Sequence, residues 1–566
     1  MQISSSVNKI YTRLNKQQLN MTTEAIGIIN QCSERRSADY KPNIWNYDFL
    51  QSLKSEFHEE EYRLQVQKAR DEVKSLFVET LEPVAKLELI DDVEKLGLIA
   101  YFQKEINGII DSFQSFKDEN GYVNIESDLY GTSLCFRILR LHGFNISQGM
   151  FKGFVENVEK NMKVNVKAMV SLFEASHLAL EGEDILGKAR ALASLYLKNV
   201  YQQLDVEHGK EIYDALRFPL NMRVEWFNIR SHIQGYAKVS PSNSNLLKLA
   251  KLNFNMVQAV HQSELKDMLS WWKKVGVMKN LSFTRNRVVE SYLWSVGVAF
   301  EPQYGYLRKC LTKVINLVLI IDDVYDVFGT LDELETFTHI IERWATEGTE
   351  RLPEPMKFCL NILYDTVDEI SNELLSEKGY MVKTYLQNAW KDFCKGLLAE
   401  ARWYHNGYTP GLHEYLDNGW VTSCGPLLSI HTVFWDLYER QEEAINFLKI
   451  NRDLVYNTSM IIRLCNDQGT SKAELSRGDA PTSIMCHMTE ANVTEEVAKK
   501  FIKRMITDVW TQINNVSTSL SPSIKHITNM ARVAHFIYHN GDGFGIQDRE
   551  TRDQVLVLLV HPLAVD

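Results

Sequence analysis

A chain of 566 residues, 45% hydrophobic and 11% aromatic, is longer than one ordinary domain and can bury a large core, so two domains are expected. A net charge of −11 with no basic tract argues against nucleic acid as a partner. Eight scattered cysteines, with no Cys-x-x-Cys pair, read as reduced, mostly buried thiols of a non-secreted protein, and no apolar run approaches the roughly 20 residues needed to span a bilayer.

In chain order, residues 1–34 come first. They carry Ser4, Ser5, Ser6, Lys9, Arg13 and Lys16 and no acidic residue before Glu24, the composition of a residual transit segment or of an ordinary disordered terminus. Residues 35–240 read as a helical domain. Within it, Asp91-Asp92 follows no apolar run and has no partner motif, so it reads as a chance acidic pair and a decoy. Ser240-Pro241-Ser242-Asn243-Ser244-Asn245 is the linker candidate, and residues 241–566 form the second domain. Its first helix spans 246–274, with Leu249, Leu252, Met256, Val260, Leu265, Met268, Leu269 and Trp272 on the apolar face. Only twelve prolines interrupt the chain and alternating strand-like runs are scarce, so the fold class is all-α; a helical solenoid is the bland alternative.

The apolar run Val314 to Ile321 ends in Asp322-Asp323-Val324-Tyr325-Asp326. Asp322 and Asp326 are four residues apart and share a helix face, whereas Asp323 points off it and supports the ligands from behind. Carboxylates beside a core need cations to neutralise them. Two on one face suit Mg²⁺, which fills its other positions with water and phosphate oxygens. The helix should end at Gly329, with Thr330 and Glu333 forming a capping box for the next. Much later come Arg463, Asn466, Thr470 and Glu474; the last three are spaced four apart twice and align an amide, a hydroxyl and a carboxylate, again hard-cation ligands. An enzyme that handles a diphosphate beside an apolar pocket follows.

Together the two motifs resemble the aspartate-rich and the Asn/Asp-Asp-x-x-Ser/Thr-x-x-x-Glu motifs of the class I terpene synthases. Arg285-Asn286-Arg287 lies where plant members carry Arg-x-Arg. Arg35-Arg36, eight residues, then Trp45 is similar to the tandem-arginine signature of plant monoterpene synthases. Arg477-Gly478-Asp479-Ala480-Pro481 and His539-Asn540-Gly541-Asp542-Gly543 are similar to family segments as well.

The resemblance implies two helical domains, a relict N-terminal α-barrel and a C-terminal class I α-bundle. The Asp-x-Asp-Asp acid motif of protonation-initiated cyclases is absent, so the first domain should be catalytically silent. It further implies three Mg²⁺ ions, with Mn²⁺ as a substitute, held by Asp322, Asp326, Asn466, Thr470 and Glu474. Arg285 and Arg463 would grip the diphosphate through guanidinium forks, completing the catalytic set with Asp322 and Asp326; Arg287 would do the same or hold a lid. Trp294 would face the carbocation, Tyr538 and Phe544 would close the pocket around the Asp542 loop, and Arg35, Arg36 and Trp45 would form the lid. Two departures stand out. Asn286 replaces the acid usual between the two arginines. Ile315 and Ile462 stand near positions where isoprene synthases carry phenylalanines, leaving room for ten carbons. The expectation is a monoterpene synthase acting on geranyl diphosphate, monomeric or weakly dimeric, in the plastid stroma or alternatively the cytoplasm. Sesquiterpene and isoprene synthases are its neighbours, and a prenyltransferase or a non-enzymatic scaffold would not explain the Asn466 motif.

Overall fold

The computed structural model describes residues 40–57, 59–114, 128–158, 165–204, 209–239, 244–437, 440–477, 481–516, 521–543 and 549–565. Every regular element among them is a helix. Local chemistry sets many of the ends. Asp128 and Asn165 accept hydrogen bonds from the Gly131 and Ala168 amides at the starts of Leu129–Leu141 and Val166–Ser176, and Pro83 and Pro522 stand in first turns, where a missing N–H does no harm.

In the first part of the chain Pro83–Lys95 packs on Leu129–Leu141, which packs on Val166–Ser176, which packs on Asp184–Tyr201. Asp91 ties two of these together through ion pairs to Arg137 at 2.6 Å and Lys95 at 2.7 Å. The helix expected over 246–274 runs Ser244–Val275. It buries more than one face: Phe254 and Val257 are buried while Met256 and Val260 are only partly so. The reason is that Glu60–Glu79 packs on one side of it and Val288–Val298 on another. Trp226 is stacked between Phe254 at 5.1 Å and Phe300 at 5.0 Å, joining helix Glu225–Val239 to this core.

Five helices then close a ring by successive contacts: Val288–Val298, Gly305–Asp323, Gly425–Asp436, Arg452–Arg477 and Pro522–Ile537, the last returning to the first. Gly305–Asp323, with the turn that follows it, carries the aspartates and Arg452–Arg477 carries Asn466, so one helix separates the two motif-bearing elements. The seven described cysteines are free, and all but Cys424 are buried. No helix among the described residues is long and apolar enough to cross a membrane.

Candidate active site

The aspartate helix does not stay α-helical to Gly329. Its α-helical part ends at Asp323 and a π-helical turn, Val324–Phe328, carries Asp326. Gly329 then leaves in extended conformation with φ −77°, ψ 143°. A Cβ there would lie 2.5 Å from Leu334, so the turn is packed hard against the next helix. That helix, Leu331–Arg343, opens on the expected Thr330–Glu333 capping box.

The three aspartates have different surroundings. Asp322 and Asp326 are partly exposed, while Asp323 is fully buried. Three hydrogen bonds and one ion pair engage Asp323. The hydroxyls of Tyr40 and Thr284 donate to it at 2.8 Å each, the Arg285 backbone N–H donates at 2.9 Å, and Arg285 Nη2 pairs with Oδ1 at 2.8 Å. A carboxylate so engaged has little lone-pair capacity left for a further ligand. Arg285 Nη2 also donates to Asp322 Oδ2 at 2.6 Å. Burial opposes the charge on Arg285, yet Asp323, Tyr40, Asp322 and Asp542 outweigh it and raise its pKa well above the usual value.

Arg463 stands on the opposite wall. Its Nη2 donates to Thr422 Oγ1 at 2.8 Å, and its guanidinium lies 3.9 Å from Glu400 and 3.7 Å from Asp467. Asp467 is buried and held by the Tyr415 hydroxyl, 3.0 Å from each oxygen, and by the Ser483 backbone N–H at 2.9 Å. Asn466 is partly exposed. Thr470 spends its proton on the Asn466 carbonyl at 2.9 Å, which leaves its hydroxyl lone pairs for a cation. Glu474 continues the same helix, with its side chain outside the described residues. The walls face each other: the charge of Asp322 acts on Arg463, Glu400, Cys424 and Tyr538. Cys424 is a non-glycine residue at φ 62°, in the break between Leu412–Thr422 and Gly425–Asp436.

Tyr538 to Gly543 bridges the walls. Asp542 acts electrostatically on Arg285, Arg287 and Tyr538. On the other side the loop rests on the Asn466 helix, because a Cβ on Gly469 would lie 2.7 Å from the Gly541 carbonyl oxygen and 2.8 Å from that of Tyr538. Phe544, Arg35 and Arg36 lie outside the described residues. Trp45 donates through Nε1 to Glu290 at 2.7 Å, and the Tyr47 hydroxyl donates to Asn286 Oδ1 at 2.7 Å, so residues 45–47 dock beside Arg285. Arg287 is fully buried and donates to the Asn286 carbonyl at 3.0 Å. Trp294, Ile315 and Ile462 are buried.

Among the described residues no three His, Cys, Asp or Glu side chains form a ready-made metal cluster. The oxygen donors instead come from two walls, Asp322 and Asp326 on one, Asn466 and Thr470 on the other, a set that fits hard divalent cations shared with an anionic ligand. Sequence reasoning did not pick out Tyr40, Thr284, Glu400, Tyr415 or Thr422. None of them stands at a motif spacing. Asp467 lies inside a motif and was legible by position alone.

Residues 273–512 match the terpene synthase family metal-binding domain and residues 44–216 match the terpene synthase N-terminal domain. The chain is 46% identical over 561 residues to an (E,E)-alpha-farnesene synthase of Malus domestica, covering 96% of each, and 43% identical over 560 residues to an alpha-farnesene synthase of Ricinus communis, covering 97% of this chain and 99% of that one. Among solved structures it is similar to limonene synthase with 2-fluorolinalyl diphosphate, at a TM-score of 0.89 and 36% identity over 94% of this chain and 100% of that one. It is similar also to the isoprene synthase of grey poplar in complex with three Mg²⁺ ions and dimethylallyl-S-thiolodiphosphate, at a TM-score of 0.81 and 37% identity over 92% and 99%. With a metal-binding domain matched in sequence, relatives aligned end to end and the two-domain helical fold in common, this chain belongs to the terpene synthase family and is a lyase of that family.

Proposed function

We propose that the chain ionises an allylic prenyl diphosphate of ten carbons or more, with Mg²⁺ as cofactor, and converts the carbocation to a volatile terpene. The observation that carries this reading is the pair of guanidinium groups, Arg285 and Arg463, each fixed by buried carboxylates on facing walls that also carry oxygen ligands. Asp322 and Asp326 would hold metal on one wall and Asn466, Thr470 and Glu474 on the other. When bound, Mg²⁺ neutralises the diphosphate as the carbon–oxygen bond breaks and the electron pair leaves with it. Arg285 and Arg463 donate to the diphosphate oxygens and keep them oriented. Asp323 and Asp467 hold those arginines in place. Tyr538 and Phe544, with the Asp542 loop, close the cavity and exclude the water that would quench the cation. Trp294 offers it an aromatic face that attracts without attacking. The catalytic domain is taken as residues 241–566, with residues 35–240 as its silent companion. The Arg35-Arg36 to Trp45 segment acts as the lid, and the enzyme works as a monomer or weak homodimer.

Two lines of support pull the chain length apart. Arg35-Arg36 with Trp45, and the small Ile315 and Ile462, favour geranyl diphosphate in the plastid stroma. The identity of 46% and 43% to two alpha-farnesene synthases favours a second reading, farnesyl diphosphate in the cytoplasm, and shifts weight toward it. Incubation with dimethylallyl, geranyl and farnesyl diphosphates in MgCl₂, each alone and in competition, followed by analysis of the volatiles, tests both. Turnover of none of the three, or of dimethylallyl diphosphate alone, overturns the proposal.

A further inference from the structure

The segment ahead of the first described helix, Tyr47–Ser52, makes a contact through a residue inside the Arg35-Arg36 to Trp45 signature but at none of its defining positions. Tyr40 reaches across 283 residues of sequence to donate its hydroxyl to Asp323 Oδ1 at 2.8 Å. The same ring lies over the Arg285 guanidinium, 5.1 Å from the centroid. One side chain thus holds both partners of the ion pair that orients Arg285, the hydroxyl from the carboxylate side and the ring face from the cation side. Burial is the largest influence on the phenol and raises its pKa, so the hydroxyl keeps its proton and stays a donor. The neighbouring anchors are spread along the same stretch: Trp45 holds Glu290 and Tyr47 holds Asn286, both within the loop and first turn that follow Arg285. The other donors to Asp323, Thr284 and the Arg285 amide, come from that loop itself. Tyr40 connects the Asp323 carboxylate to the N-terminal segment.

We infer that Tyr40 is a positioning residue: it makes the seating of residues 40–47 and the orientation of Arg285 toward diphosphate one linked equilibrium. If the segment is seated, Asp323 and Arg285 are fixed. If diphosphate engages Arg285, the surface on which Tyr40 rests is fixed in turn. Linkage of this kind is reciprocal, so diphosphate must tighten the segment by the factor by which the segment tightens diphosphate. The inference rests on the proposed diphosphate role of Arg285 and the metal role of Asp322, and the test keeps the two apart.

The full chain is compared with Tyr40→Phe, Thr284→Val and Asp322→Ala, with inorganic diphosphate and MgCl₂ as the probe. The readouts are hydrogen exchange in peptides covering residues 40–52, the diphosphate midpoint of its slowing, the melting temperature, and kcat and KM taken separately. Tyr40→Phe keeps the ring and removes only the donor. It is expected to leave melting unchanged, speed exchange in 40–52, and raise both the diphosphate midpoint and KM by about tenfold, the scale of one lost charge-assisted hydrogen bond. Thr284→Val removes a donor from the same carboxylate without touching the segment. It should raise the midpoint and, acting on the segment only through the shared carboxylate, speed 40–52 exchange less than Tyr40→Phe does. Faster exchange in Tyr40→Phe with an unchanged midpoint and KM would make Tyr40 a structural anchor only and overturn the inference, as would no change in either. A diphosphate response that persists in Asp322→Ala would defeat the underlying site reading instead.

Discussion

Gly469→Ala tests how the two walls are joined. The new methyl would sit 2.7 Å and 2.8 Å from two backbone carbonyl oxygens of the loop carrying Tyr538 and Asp542, where ordinary contact is roughly 3.5 Å. Neither neighbour is a flexible side chain tip, so the loop must retreat by most of an ångström. Overpacking of this sort costs about 1–3 kcal/mol. Gly469 is, however, inside a helix, where alanine is favoured over glycine by about 1 kcal/mol. The two effects nearly offset, and net destabilisation should be about 0–2 kcal/mol, a change of only a few degrees in melting temperature. Catalysis has no such offset. An ångström of misplacement in a positioned group costs on the order of 100-fold, so kcat/KM should fall about 10- to 100-fold, with a larger share of water-quenched alcohols. Circular dichroism melting, steady-state kinetics and product analysis read all three quantities. A variant that is more stable by the full helix gain and as active as wild type would show that the loop does not rest on Gly469.

Four further outcomes follow from the same geometry. Asp322→Ala, or chelation of divalent cations, should reduce turnover on the order of 10³-fold or more in a product-release assay, and turnover surviving both would rule out the metal role. Arg463→Lys should lose most of kcat/KM at an unchanged circular dichroism spectrum, because an ammonium cannot bridge Thr422, Asp467 and a diphosphate as a fork does. Ile315→Phe with Ile462→Phe should impair geranyl and farnesyl diphosphate turnover and favour dimethylallyl diphosphate, in graded fashion since a methylene in a pocket wall is worth only about 1–3 kcal/mol; equal turnover would take both isoleucines off the wall. Deleting residues 1–34 should leave activity largely intact, whereas deletion through Trp45 should depress it or divert product to alcohols, and matching product profiles from the two truncations would sink the lid.

What the sequence discloses here is what depends on helical spacing. Asn466 with Thr470 follows the 3.6-residue period and the Thr330–Glu333 cap follows local turn chemistry, whatever the rest of the chain does; Asp322 with Asp326 is read from the same period, although Asp326 stands in a π-helical turn. The π-helical turn at Val324–Phe328 breaks that period and is not legible, since it arises where the helix end meets Leu334. Tyr40, Thr284, Glu400 and Tyr415 are equally silent. Each reaches its partner through tertiary packing, across 283 residues in the case of Tyr40 and 52 in that of Tyr415, and no residue type announces such a distance. The buried faces of Ser244–Val275 were only half legible for the same reason: a one-sided stripe assumes one partner, and this helix has two.

The two motifs nonetheless share one physical construction. In each, the first residue faces the cavity and the next is a buried aspartate: Asp323 after Asp322, and Asp467 after Asn466. A single step along a helix turns the side chain by about 100°, so the second position is carried away from the ligand face and into the protein. A carboxylate there is tolerated only if its lone pairs are met. Tyr40, Thr284 and the Arg285 amide do this for Asp323, and Tyr415 and the Ser483 amide do it for Asp467. Once fixed, each buried aspartate stands beside one arginine, Arg285 at 2.8 Å and Arg463 at 3.7 Å. The buried aspartate of each motif is therefore not proposed as a second ligand. One member is proposed to hold metal, and its neighbour pairs with the guanidinium proposed to meet the diphosphate. Replacing the buried member should then act through the arginine. Asp467→Asn keeps the volume and one acceptor, and it should raise KM for the diphosphate substrate more than the concentration of Mg²⁺ needed for half-maximal rate. The opposite pattern would place Asp467 among the metal ligands.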